Sequence, residues 1–279
     1  MLGPLHKMRV EASDPVSYFL PLGDVTVPLT PLLGKEIHFR YQGIILCQAC
    51  NRKTPKSYNQ GYCFPCFRKL AACDMCILKP ETCHFHLGTC REPEWGQTHC
   101  MIPHIVYLAN SSGIKVGITR ETQIPVRWMD QGASQALPVF RVASRYLSGL
   151  VETLFAQHIA DKTNWQALLK SDSDPVDLAQ ARDDLVRVCR AELDELAVRF
   201  PGQIAYLDGE ADKGSVRAET PEQAADELMQ QVANLVFEQY AVPAAQSGDL
   251  DNWIIVVDNV EGLNAFAGLQ RILQQLGSQ

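Results

Sequence analysis

Residues 105–119 read IVYLANSSGIKVGIT. Ile105 to Ala109 is an apolar run of strand length, Asn110-Ser111-Ser112-Gly113 is a turn ending in glycine, and Ile114 to Thr119 is a returning strand. Two such runs joined by four loop residues predict a β-hairpin. Pro125 follows and opens a helix carrying Arg127, because proline is favoured in a first turn. Gly149 to Ala160 predicts a second helix with Leu150, Val151, Leu154 and Phe155 on its apolar face. Glu152 stands at the edge of that arc, and His158 lies near its middle, where a core histidine is expected.

Outside this segment, residues 1–46 alternate short apolar runs with turn residues. Val16 to Leu22, Val25 to Leu29 and Ile37 to Leu46 predict strands. After Asp174-Pro175, the spacing of Leu178, Ala181, Leu185, Val188, Leu193 and Leu196 predicts one long helix with Cys189 on its buried stripe. Thr220-Pro221 with Gln223 predicts a capped helix to about Tyr240. A linker over residues 241–249, a strand over Trp253 to Val257 and a last helix over Leu263 to Leu276 complete the chain. The fold class is therefore α+β, with a β-rich N-terminal segment (1–46), a Cys-rich zinc-binding module (47–103), an α/β domain (104–170) and a mainly helical acidic C-terminal region (171–279).

The cysteines carry the strongest chemical signal. Nine of the ten lie between Cys47 and Cys100. No run from Met1 resembles a signal peptide and no apolar run is long enough to cross a bilayer, so the expectation is a cytoplasmic protein without membrane association. Clustered thiols in a reducing compartment point to metal rather than disulfides. Cys47-Gln48-Ala49-Cys50 and Cys63-Phe64-Pro65-Cys66 form two CxxC turns separated by 12 residues. Each turn presents two thiolates to one ion, and four thiolates with no open position make a structural zinc site. Redox thiols and an iron–sulfur cluster are the alternatives, although the pairs lack the usual single-run iron–sulfur spacing. A second Zn²⁺ site draws on Cys76, Cys83, Cys90 and Cys100, with His86 as the substitute for one of them; simple buried thiols are the competing account.

The net charge of −7 is unevenly spread. Residues 35–120 hold 11 Lys/Arg against 5 Asp/Glu, while residues 171–279 hold 7 against 20. A polyanionic partner would meet the first of these stretches.

The hairpin, with Arg127 on the next helix and Glu152 on the one after, resembles the GIY-YIG nuclease superfamily over about residues 105–169. The resemblance implies two tyrosines on a short hairpin, a helix arginine and a later glutamate around one site. Here Tyr107 takes the first tyrosine position and Lys115 stands where the second is often found. The whole chain, with GYCFPC, GTCREPEWG and KVGITRETQIPVRWMDQGA, also looks like a group of bacterial proteins known only as a domain of unknown function. Phosphodiester cleavage needs an activated water, a cation and positive charge on the phosphate. Tyr107 would position or deprotonate the water. Arg127 would grip phosphate oxygens, and Lys115 would touch phosphate. Gly117 would let the backbone approach the ligand, and Glu152 would hold one Mg²⁺ or Mn²⁺. The resemblance thus implies a metal-dependent nuclease acting on DNA or RNA. The alternative is a non-catalytic, zinc-stabilised module that binds nucleic acid or protein, in which Tyr107 is a core aromatic and Arg127 an ordinary surface group.

Overall fold

The structure is a computed structural model of the chain, and it describes residues 3–13, 16–33, 37–159, 174–209 and 254–257. The chain packs as two units. One comprises residues 1–67, 164–172 and 217–279, and the other residues 68–163 and 173–216. The helices expected over 220–240 and 263–276 and the linker at 241–249 lie outside the described residues.

The first unit opens with a meander of β1 (Arg9–Glu11), β2 (Ser17–Leu22) and β3 (Val25–Pro28), paired antiparallel. Alternation along β2 turns Tyr18 and Leu20 inwards, where they pack with Val10 and Leu29 at 1–6 % exposure. The run expected as one strand from Ile37 to Leu46 divides into β4 (Ile37–Arg40) and β5 (Ile45–Leu46), which belong to different sheets. Gly43 explains the division: its φ of 70° lies in the left-handed region, which breaks a strand. β5 pairs with β6 (Lys53–Thr54), and the short helix α1 (Phe64–Lys69) follows.

The second unit is built on a four-stranded antiparallel sheet. The hairpin is present as β7 (His104–Asn110) and β8 (Ile114–Arg120). α2 (Pro93–His99) precedes it, and the single-turn helix α3 (Val126–Met129) follows it. β9 (Gln135–Val142) then pairs along the other side of β7, so β7 is internal. α4 (Arg145–Ala156) comes next, capped by Ser144, whose side chain accepts from the Leu147 N–H. It begins four residues before the predicted Gly149 because that cap, rather than the glycine, starts it. The long helix predicted after Asp174 is two helices, α5 (Leu178–Val188) and α6 (Arg190–Arg199), broken at Cys189, where ψ is 15°. Cys189 is fully buried, as its place on the apolar stripe requires. β10 (Ile204–Tyr206) pairs with the free edge of β9, giving the order β10-β9-β7-β8. The last described strand, β11 (Ile254–Val257), pairs antiparallel with β4 in the first unit.

Two cores sandwich the four-stranded sheet. On one face Val106, Leu108, Val116 and Leu137 meet Leu147, Val151, Leu154 and Phe155 of α4 and Leu178 and Leu185 of α5. On the other, Ile105, Tyr107 and Ala109 pack with Trp128, Ala133 and Ala136. Such two-sided burial explains why β7 reads as a continuous apolar run rather than an alternating one. His158, expected on the α4 core stripe, is exposed, because the helix has already ended at Ala156. Among the described residues no helix is long and apolar enough to cross a membrane.

Candidate functional site

In the first unit the CxxC pairs come together. Cys47 follows β5 and starts a tight turn in which the Asn51 N–H donates to the Cys47 carbonyl at 2.8 Å and the Cys47 N–H to the Arg52 carbonyl at 2.9 Å. Asn51 adopts φ 54°, a left-handed conformation that asparagine tolerates. The chain reverses again between Tyr58 and Tyr62 through Asn59, Gln60 and Gly61, all at positive φ, and delivers Cys63 and Cys66 to the start of α1.

All four Sγ atoms lie within 4.8 Å of one another, and Cys50 and Cys63 are 3.7 Å apart. A tetrahedron with Zn–S bonds of about 2.3 Å has S···S edges of about 3.8 Å, so this spacing fits zinc and is far longer than a disulfide bond. The Cys63 N–H donates to Cys47 Sγ at 3.2 Å. Burial raises the Cys47 thiol, but backbone N–H groups of Cys63, Cys50 and Ala49 pull it down to about 6, the preparation a thiolate ligand needs. The cysteine cluster can therefore bind a metal such as zinc.

In the second unit Tyr107, Arg127 and Glu152 reach one region from three elements. Tyr107 projects from the inside strand β7 and is 0 % exposed. Gly117 is its direct cross-strand partner. A Cβ on Gly117 would lie 2.6 Å from both Cζ and Oη of Tyr107, so the glycine makes room for the tyrosine ring rather than for a ligand. Trp128 packs edge-on against that ring at 6.1 Å.

The tyrosine hydroxyl lies 3.0 Å from the Gln131 amide. With its oxygen turned to Arg127, Gln131 accepts from guanidinium Nη2 at 3.3 Å and Nε at 3.2 Å. Arg127 is itself exposed, and Glu152 on α4 is half-buried. Burial pushes the Tyr107 phenol above its ordinary range. Arg127 and Gln131 oppose that shift, and the nearby Glu152 charge adds to it. Lys115, expected beside phosphate, is buried at 7 % exposure, opposite Ala109 on the same strand face as Gly117.

Gln131 was not anticipated from sequence. Its only signal is its position four residues after Arg127, the spacing at which side chains meet on one helical face.

The Cys-rich stretch that precedes the hairpin lies in the second unit and consists of short 3₁₀ turns and α2. Cys76, Cys83, Cys90 and Cys100 all line one small cavity. His86 does not; it is exposed and packs its ring tilted against Tyr146, with centroids 5.4 Å apart. His84, one of the eight Cys and His side chains the sequence offers for a second site but not one of those chosen, and Asp74, which the sequence did not suggest, have donor atoms within 4.8 Å of Cys76 Sγ.

These features define an α+β chain with a four-cysteine metal-binding cluster in one unit and a four-stranded sheet unit beside it in sequence. Residues 34–253 match the family described as "Protein of unknown function (DUF2797)", and the chain belongs to that family. Neither the curated proteins nor the solved structures give a match.

Proposed function

We propose that the second unit is a nucleic-acid phosphodiester hydrolase of the GIY-YIG type, in a chain whose first unit is stabilised by zinc. The observation that carries this reading is the convergence of Tyr107, Arg127 and Glu152, which come from a strand, a short helix and a long helix and act electrostatically on one hydroxyl. Residues scattered for purely structural reasons have no cause to share that point.

Each residue has work suited to its environment. Arg127 is exposed and presents a planar fork, so it would bind two non-bridging phosphate oxygens. Gln131 accepts from the same guanidinium and fixes its direction. Tyr107 is buried with its phenol pushed up, so it keeps its proton near neutral pH and serves as an orienting hydroxyl rather than a base. Glu152 would hold a divalent cation such as Mg²⁺ or Mn²⁺, whose charge neutralises the phosphate when bound. Lys115 sits inside the sheet face, where its charge would add to the positive field behind the arginine.

The burial of Tyr107 and Lys115 favours a second reading, a non-catalytic module that binds nucleic acid through the exposed Arg127. Labelled single- and double-stranded DNA and RNA, incubated with Mg²⁺ or Mn²⁺, separate the two. Cleavage by the wild type that Glu152→Gln and Arg127→Ala abolish, with zinc content and fold retained, supports the hydrolase. Binding without cleavage, with Arg127→Ala weakening that binding, supports the module.

A further inference from the structure

We infer that the second unit contains its own zinc centre, a tetrathiolate formed by Cys76, Cys83, Cys90 and Cys100, and that this centre clamps the N-terminal half of α4. The stretch from Ala71 to Cys100 is packed inside out for an ordinary core. Met75, Leu78 and Leu87 point outwards at 60–68 % exposure, while Cys83 and Cys100 are buried at 5–6 %. A segment of 3₁₀ turns that turns thiols inwards and large apolar side chains outwards lacks the hydrophobic gain needed to order it, and a bound metal supplies that gain.

The four thiols surround one cavity. Cys83 is the neighbour that acts most strongly on the Cys76 thiol, and Cys100 is close enough to both Cys83 and Cys90 to feel their charge. Cys90 is admitted by Gly96 of α2, where a Cβ would stand 3.2 Å from the Cys90 sulfur and 2.9 Å from Phe85. Asp74 and His84 reach the Cys76 side of the same cavity, but Asp74 is already engaged by Arg91 at 2.7 Å and by His84 at 3.5 Å. With Cys76 they form the group whose donor atoms lie within 4.8 Å of one another, and a metal drawn to the softer thiolates lining the rest of the cavity would leave them as outer partners.

Four thiolates on Zn²⁺ carry a net charge of −2, which a partly buried site must balance. Arg145, the first residue of α4, provides the balance. Its charge lies near Cys100 and Cys76, its Nη2 donates to the Ile77 carbonyl at 2.6 Å, and its backbone N–H donates to the Cys100 carbonyl at 2.7 Å. One turn further on, Gly149 sits directly against the backbone of Pro80 and Glu81. The metal would thus hold the loop against which the Glu152-bearing helix rests.

Zinc analysis of the purified full chain tests the inference, and its outcome does not depend on whether the chain cleaves anything. Two zinc ions per chain are expected for the wild type, one for Cys47→Ser/Cys50→Ser and one for Cys76→Ser/Cys83→Ser. Asp74→Asn and His84→Ala should each retain two. Thiol alkylation read by mass spectrometry gives a second measurement on the unaltered chain. Cys76, Cys83, Cys90 and Cys100 should be protected together and become reactive together when a chelator strips the metal. One zinc per chain, with those four thiols reacting at rates that chelation does not change, overturns the inference. Loss of the second zinc on substituting Asp74 or His84, with Cys90 or Cys100 unprotected, overturns the ligand set.

Discussion

Replacing Gly149 by alanine should destabilise the second unit, although the same change in an open helix does the opposite. In a solvent-facing helix alanine is favoured over glycine by about 1 kcal/mol. Gly149 is the fifth residue of α4, and its added Cβ would lie 2.4 Å from the Glu81 backbone nitrogen and 2.6 Å from Pro80 C and Cβ. Ordinary contact begins at 3.4 Å, so the shortfall against Glu81 is 1.0 Å. The opposing atoms are mostly backbone, held in a 3₁₀ turn and unable to swing aside as a side-chain tip would. Overpacking of this kind costs about 1–3 kcal/mol, and a clash against backbone belongs at the upper end. Subtracting the helix gain leaves a net loss of about 1–2 kcal/mol, or roughly 2–8 °C in the midpoint for a unit of this size. Thermal unfolding followed by far-ultraviolet circular dichroism, with zinc content measured in parallel, reads the effect. An unchanged or raised midpoint for Gly149→Ala would refute the packing of α4 on the Pro80–Thr82 turn.

Three other outcomes follow from the same geometry. Gly117→Ala should cost about 1–3 kcal/mol because its Cβ meets the Tyr107 ring, yet become neutral or stabilising in a Tyr107→Ala background, where alanine outperforms glycine in a strand. A double-mutant cycle by denaturant unfolding reads the coupling, and equal costs in both backgrounds would show that the two residues do not touch. His104 is wholly buried, and burial holds its imidazole down to about 4. The unfolded chain takes up a proton near 6.5 that the folded chain refuses, so stability should fall by up to about 3 kcal/mol as pH drops from 6.5 to 4 and level off below. His104→Asn, which can still donate to the Ile102 carbonyl, should flatten that stretch of the pH profile; an identical slope in the variant would locate the pH sensitivity elsewhere. Finally, stripping zinc with a chelator, or substituting Cys63→Ser, should make residues 47–67 a rapid target for limited proteolysis, and unchanged cleavage kinetics there would mean that the first cluster holds no structural metal.

What the sequence made legible was local chemistry; what it concealed depended on distant partners. The hairpin was readable because β7, its turn and β8 are contiguous. β9 was missed, although it lies between β7 and β10, because Pro138 within it argues against an internal strand. The fold accommodates that proline where the register with β7 slips: Val106 faces Phe140 but Tyr107 faces Pro138, leaving Val139 as the extra residue of a bulge. The break between α5 and α6 left no mark on the apolar spacing, because Leu185, Cys189 and Leu193, four residues apart across it, are all buried. At the candidate active site the residue types were legible but their exposure was not. Lys115 and Gly117 looked like groups facing a ligand, and only the second layer of packing over Tyr107 turns them inwards. The convergence of Cys47, Cys50, Cys63 and Cys66 was readable, since CxxC turns carry their geometry with them.

The pairing of β11 with β4 sets a timetable for synthesis. The two strands are roughly two hundred residues apart in sequence, and the second unit is spelled out almost entirely between them. At about 5–20 residues per second, β4 leaves the ribosome roughly 10–40 s before its partner exists. The unit begun first is therefore finished last. During that interval β4 lacks its β11 partner, and the second unit has time to complete its sheet before the first acquires that strand.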